Sequence, residues 1–189
     1  TITTTAGTLT VTELTEKVTV TITENSGSEK YDGSEKTVTG YTVKISNPLY
    51  TEAYFTFSGD ATVTGTDAGS YPMELKPADF TNTNTNFTNV EFVIADGTLE
   101  ILKRSVTLTS ATDTKVYDGT ALTNANVAVG GDGFATGEGA TYDVTGTQTE
   151  VGSSNNTFTY TLNEGTKADN YTITTTAGTL TVTELTEKV

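Results

Sequence analysis

The sequence predicts an all-β protein of two tandem elongated β modules, Ig-like sandwich or β-grasp-like, in a linear array. Three observations predict it. Threonine accounts for 47 of the 189 residues, and a β-branched side chain that is stiff at χ1 suits a pleated, half-exposed surface. Apolar residues alternate with threonine at period two along many short segments. Finally, an exact repeat and a weaker internal one divide the chain into like units.

The exact repeat comes first. Residues 1–18, TITTTAGTLTVTELTEKV, recur unchanged as residues 172–189, an offset of 171. Identity over that length marks near-identical tandem copies in a longer parent, of which this chain is one period and an overlap. A chain that starts on Thr1 reads as an excised fragment or a mature piece. Inside the period, Lys30-Tyr31-Asp32-Gly33 is echoed by Lys115-Val116-Tyr117-Asp118-Gly119, and Val63-Thr64-Gly65-Thr66 by Val144-Thr145-Gly146-Thr147. Asn89 with Gly97-Thr98-Leu99-Glu100-Ile101 is echoed by Asn170 with Gly178-Thr179-Leu180-Thr181-Val182. These echoes set a first module at 18–102 and a second at 103–189, with residues 1–17 the C-terminal strands of a preceding repeat. Such an orphan strand pair is expected to order only against a neighbouring identical repeat or chain.

The elements follow in order. Val18–Thr23 alternates as a half-buried antiparallel strand should, and Val106–Thr109 opens the second module in the same way. Tyr41–Ile45, Tyr54–Phe57, Phe158–Leu162, Tyr171–Thr174 and Leu180–Thr183 continue the pattern, giving six or seven strands per module. Asp32-Gly33, Asp96-Gly97, Asp118-Gly119 and Glu164-Gly165 mark turns. Pro77 makes Lys76–Phe80 the one helical candidate. The core is expected to include Val20, Ile22, Leu99 and Ile101 in the first module. In the second it is expected to include Val106, Leu108, Val129, Tyr160, Leu180 and Val182. The junctions Leu102-Lys103-Arg104 and Thr186-Glu187-Lys188 lack Gly and Pro and read as short, stiff connections.

Composition excludes much chemistry. Without His or Cys there is no Ser-His-Asp triad, thiol nucleophile or Cys/His metal site. A net charge of −14 opposes nucleic acid, and no apolar run approaches the roughly 20 residues of a membrane helix. Paired carboxylates could serve glycoside hydrolysis, but 24 acidic residues make close pairs inevitable, so no enzyme activity and no cofactor are expected.

The candidate sites are few. Asp132, Glu138 and Asp143 surround the glycine-rich loop 130–139 and are the calcium candidates, calcium needing six to eight oxygens. The junction carboxylates Glu13, Glu16, Glu100, Glu184 and Glu187 are a second set. Lys30 with Asn89, and Lys115 with Asn170, occupy matching positions suited to an isopeptide crosslink. Asp32, Gly33, Gly97, Asp118, Gly119 and Gly178 read as structural turn residues: Asp caps backbone N–H groups and Gly takes positive φ. Asn86-Phe87-Thr88, Asn155-Asn156-Thr157 and Asn170-Tyr171-Thr172 match the N-x-[ST] pattern. Tyr50, Tyr54 and Phe55 near Pro48 are the aromatic cluster a ligand would use.

The recurring Tyr-Asp-Gly, the mid-module Ala68-Gly69-Ser70 and Val151-Gly152-Ser153, and the closing Asn-Tyr…Gly-Thr-Leu-Thr-Val form a set. With it, Lys115–Val182 resembles the YDG/MBG-type tandem repeat domains of large bacterial cell-surface proteins. The first module is similar but departs from the pattern at Val90 and Asp96. The near-identical copies also resemble the stalk repeats of bacterial adhesins. This resemblance implies an extracellular structural repeat at the cell surface or in a secreted filament, projecting an adhesive head or forming a fibre. The alternative is a repeat module that binds host mucin, glycan or matrix protein.

Overall fold

The computed structural model describes residues 2–186. The repeat's first residue Thr1, the calcium candidate Glu187, the junction residue Lys188 and Val189 lie outside the described residues. Among the described residues the chain is all-β, with eighteen strands and three single 3₁₀ turns. Among the described residues no helix is long and apolar enough to cross a membrane.

Ten strands precede Lys103: β1 (Val18–Glu24), β2 (Gly27–Lys30), β3 (Lys36–Thr39), β4 (Tyr41–Ile45), β5 (Phe55–Phe57), β6 (Thr62–Gly65), β7 (Gly69–Pro72), β8 (Phe80–Asn82), β9 (Val90–Ala95) and β10 (Thr98–Leu102). Eight follow it: β11 (Arg104–Ser110), β12 (Asp113–Val116), β13 (Val127–Gly131), β14 (Ala140–Val144), β15 (Gly152–Asn156), β16 (Phe158–Leu162), β17 (Tyr171–Thr176) and β18 (Gly178–Thr183). Both totals exceed the six or seven expected, because several strands are only three or four residues long.

The internal repeat is visible in the sheets. β1 lies between β4 and β9, and β11 lies between β13 and β17. A second sheet runs β2-β10-β7 in the first case and β12-β18-β15 in the other. The alternation of apolar residues with threonine explains each central strand. Val18, Val20 and Ile22 of β1 are fully buried while Thr23 faces solvent, and Val106 and Leu108 of β11 are buried in the same way.

Pairing differs from the expectation at one point. β1 is antiparallel to β4 but parallel to β9, over Val18↔Val90 to Thr23↔Ala95. β11 repeats this arrangement with β13 and β17. Period-two alternation reports which face is buried and carries no information on the direction of the partner.

Two compact units divide the chain. The first comprises Thr1–Gly27, Thr37–Gly65 and Ser70–Leu99; the second comprises Ser28–Lys36, Thr66–Gly69 and Glu100–Val189. In the first unit the core is aromatic. Phe80 stacks on Phe57 and Phe92 at centroid distances of 4.9 and 5.6 Å, and Tyr41 and Phe55 meet it edge-on. Beside them Tyr50 meets Tyr54 and Phe87 edge-on. The core of the second unit gathers Leu122, Leu180 and Val182 under Tyr117.

Two expected core residues are exposed, Val129 and Tyr160. β13 is the edge of its sheet and β16 belongs to a two-stranded ribbon, so each has a strand on one side only and fewer neighbours around its side chains. The expected helix is the 3₁₀ turn Pro77–Asp79, in which Asp79 accepts the backbone N–H of Lys76 at 2.7 Å.

Residues 2–13 form no regular structure and are exposed. Leu14 then makes an isolated bridge to Phe87, and Lys17 pairs with Glu91 at 2.6 Å. The same sequence at residues 173–183 forms β17 and β18.

Candidate functional site

The two Tyr-Asp-Gly segments are turns of one design. One oxygen of Asp32 accepts the N–H and the hydroxyl of Ser34 at 2.9 and 2.6 Å, while the other takes Lys36 Nζ. In the second turn Asp118 accepts the N–H and the hydroxyl of Thr120 and the Lys115 ammonium, at 2.7 to 2.9 Å. Gly33 and Gly119 take φ of 85° and 76°, a region open to glycine because a Cβ there crowds the following carbonyl. The lysine bonds hold both aspartates well below the usual carboxylate range, with the serine or threonine donors adding to the effect.

The tyrosines of these turns have different surroundings. Tyr31 is buried and lies inside the second unit, where its hydroxyl donates to Glu138 Oε1. Tyr171 donates to the other oxygen of that carboxylate at 2.7 Å and accepts the Ala135 N–H at 3.0 Å. The two rings meet edge-on at 5.7 Å. Arg104, at the start of β11, spreads its guanidinium over three carbonyls, those of Tyr31, Asp132 and Gly133. Lys30 pairs with Asp132 at 2.6 Å, and Asp132 also accepts the Ser105 N–H. A second patch of the same unit joins Asp67 to Lys167 at 2.6 Å and to Asn170 at 2.9 Å; Asn170 accepts the Ala68 N–H at 2.7 Å.

This cluster is a clasp: it ties the short segments 28–36 and 66–69 to the body of the second unit. Charge-assisted hydrogen bonds are roughly twice as strong as neutral ones, and most of its bonds are of that kind. Burial, and then the bond to the Glu138 carboxylate, pushes Tyr31 up to about 12. Burial pushes Tyr171 to about 12 as well, Glu138 adding to it.

The residues singled out from the sequence fall as follows. Asp132 and Glu138 both belong to the clasp, one engaged with Lys30 and Ser105 and the other with two phenols; Asp143 lies in β14. Among the described residues no three acidic side chains converge as a metal site would require, so neither this trio nor Glu13, Glu16, Glu100 and Glu184 forms one. The two lysine–asparagine pairs are not joined. Lys30 meets Asp132, the Asn89 amide donates to the Thr15 carbonyl, Lys115 meets Asp118 and Thr120, and Asn170 meets Asp67 and Ala68.

Gly97 and Gly178 have a structural role other than the one expected. Neither takes positive φ. A Cβ on Gly97 would stand 2.3 Å from the Asn25 carbonyl oxygen, and one on Gly178 would stand 2.4 Å from those of Ser110 and Ala111. Their N–H groups bind buried acceptors at the end of the central strand, Glu24 at 2.6 Å and Ser110 at 2.9 Å. These glycines permit a close backbone approach.

The aromatic cluster near Pro48 faces inward. Tyr50 is 2% exposed, and its hydroxyl donates to the Tyr54 carbonyl and to Asn82. Beside it an open cavity of about 390 Å³ is lined by Glu13, Asn82–Thr85, Phe87 and Thr88. Sequence reasoning missed Arg104 and Tyr171 as partners of the Tyr31 turn. The one signal was that Arg104 occupies the first position of a strand whose counterpart begins with Val18.

Comparison with known families gives the two halves their names. The MBG domain model matches residues 18–103, and the YDG domain model matches residues 102–178. The chain carries an MBG and a YDG domain in tandem. No curated protein and no solved structure matches it. Lys30, Tyr31, Asp67 and Ala68 therefore come from the MBG sequence and are bonded, inside the second unit, to residues of the YDG sequence. One residue, Lys103, separates β10 from β11.

Proposed function

We propose that this chain is a structural repeat of an extracellular bacterial surface stalk or filament, lengthened by copying, that projects an adhesive head or forms a fibre. One observation carries the reading. The eighteen residues 1–18 and 172–189 are identical, yet among the described residues the strand pair forms only from 173–183 and not from 2–12, with Leu180 fully buried against 100% exposure for Leu9. A strand pair present twice, with strands to receive it present once, is what a head-to-tail array leaves when one period and an overlap are taken. The partner of the exposed residues 2–13 is accordingly a neighbouring identical repeat.

The sheet topology suits mechanical load. In β1–β9 and β11–β17 an early strand runs parallel to a late one over six residue pairs. Tension applied to the two ends of such a pair pulls the strands in opposite directions along their length. The ladder is then sheared, and its hydrogen bonds are loaded together rather than opened one by one. An acidic surface keeps neighbouring arrays apart.

The competing reading, a module for host glycan or matrix protein, relied on an aromatic surface at Tyr50, Tyr54 and Phe55, and Tyr50 is buried. Chains with increasing numbers of the 171-residue period separate the two readings. A spacer gains a constant contour length per copy and captures nothing on a glycan array. Capture that strengthens with copy number, as avidity does, overturns the reading.

A further inference from the structure

The environment of Tyr31 has a counterpart whose partner is missing from this chain. Strand register fixes the correspondence. Val18↔Val90 in the MBG domain matches Arg104↔Tyr171 in the YDG domain, and Val20↔Ile45 matches Val106↔Gly131. Ser46 therefore corresponds to Asp132, and the hydrogen bonds agree. Ser46 accepts the Thr19 N–H and donates its own N–H to the Thr19 carbonyl, and Asp132 does both with Ser105. Tyr31 and Tyr117 correspond too, each donating its N–H to the carbonyl of the last residue of the closing strand, Leu102 and Thr183.

Four polar members of the clasp are replaced by residues without charge. Lys30 becomes Val116, Asp132 becomes Ser46, Arg104 becomes Val18 and Tyr171 becomes Val90. The substitutions occur on the side that presents the turn and on the side that receives it, so charge is removed from both at once. Of the apolar replacements Val18 is fully buried, Val90 half-buried and Val116 uncovered. Val116 is 52% exposed and lies across from Thr183 at the end of β12, and Val151, 50% exposed, directly precedes β15 in the same sheet. Leu49, in the MBG loop that follows Ser46, is 69% exposed. Taking such residues out of water favours a contact.

We propose that this end of the YDG sheet, at Val116 and Val151, is a docking surface for the MBG domain of a second copy of the chain, received there by Leu49 and Val90. The proposal rests on the reading that copies follow one another. Chain continuity supports the choice of occupant. Residues 184–189 repeat residues 13–18, so the stretch that leaves β18 is the one that enters β1. At its second appearance Leu185 is 59% exposed, whereas Leu14 bridges Phe87 and donates its N–H to the Asn86 carbonyl. The array thus alternates two contacts, a polar clasp from MBG to YDG and an apolar one from YDG to the next MBG.

The test uses residues 1–171 joined to a complete 1–189, with Val116→Cys in the leading copy and Leu49→Cys in the trailing one. The chain has no cysteine of its own, so these are the sole thiols. Mild oxidation is expected to close the disulfide about tenfold faster than in a control pairing Val129→Cys with Leu49→Cys, since docking raises effective concentration. Equal rates overturn the proposal. Hydrogen exchange on the same tandem follows the shared strand pair. If that segment is protected while the crosslinking rates are equal, the docking surface falls and the array reading stands. If it is unprotected, both fall.

Discussion

Tyr31 and Tyr171 donate their hydroxyls to the two oxygens of one carboxylate, that of Glu138. The residues are far apart in sequence, and the carboxylate comes from a glycine-rich loop between them. Removing it leaves two phenols without an acceptor in a buried place. Glu138→Ala is expected to lower unfolding free energy by about 3 kcal/mol, since hydrogen bonds to charged groups are worth about 1.5–3 kcal/mol each. Glu138→Gln, which keeps one acceptor oxygen, costs less. A urea series on the three proteins decides it, and equal midpoints would discard the clasp.

The same pair sets an alkaline limit. Burial and the shared carboxylate push both phenols up to about 12 in the folded chain from an ordinary 10.0. A group whose folded pKa is raised contributes stability that is complete below the unfolded pKa and disappears as pH rises through the folded one. Stability is therefore expected to fall between about pH 10 and pH 12. Tyr31→Phe should make that decline shallower. Phenolate absorbance should also show two tyrosines ionising after the rest.

Acid acts on the turns. Asp32 and Asp118 are depressed by Lys36 and Lys115, so what they contribute is present above the ordinary 3.8 and lost as pH falls below it. Carboxyl carbon shifts should place both below the bulk of the acids, and Lys115→Met should return Asp118 toward 3.8. Ordinary titration of Asp118 in the parent chain would contradict the turn geometry.

Glycines of two kinds should respond differently. At Gly178 an added methyl meets two carbonyl oxygens at 2.4 Å, and Gly178→Ala is expected to cost on the order of 3 kcal/mol. At Gly119, where φ is 76° and nothing lies within 4 Å, the same change costs about 1–2 kcal/mol from backbone strain alone. Comparable midpoints for the two variants would remove the distinction.

Leu9 and Leu180 are the same residue of the repeat. Leu180→Ala should destabilise by about 2–5 kcal/mol, as buried leucines do. Leu9→Ala should stay within about 0.5 kcal/mol of the parent, as exposed positions do. Thermal or urea unfolding of the two variants provides the comparison, and a large loss at Leu9 would mean that the segment is built into a fold.

Much of the fold was legible because local rules govern it. Val20 and Ile22, alternating with threonine, specify a strand with one buried face. Asp118-Gly119 specifies its turn through a carboxylate that caps the next N–H and a residue free to take positive φ. The parallel pairing of β1 with β9 was not legible, since alternation is the same for either direction. Glu138 was singled out as an oxygen donor in a flexible loop, and its real partners are two phenols that only the folded loop brings to it. Tyr50 read as part of a surface aromatic cluster near Pro48, yet the neighbouring rings of Tyr54 and Phe87 enclose it.

The clearest division is within the repeat itself. By itself the sequence determined that TITTTAGTLTVT can be a pair of strands, with Leu and Val on one face, and that it occurs twice. The tertiary structure decided which copy becomes one. Residues 173–183 find β11, β12 and β15 beside them and pair with all three, so Leu180 and Val182 leave the solvent. Residues 2–12 have the same side chains and no such strands, and Leu9 and Val11 remain exposed. A strand's backbone groups and apolar face are satisfied only by neighbours distant in sequence, so identical residues take two structures in one chain.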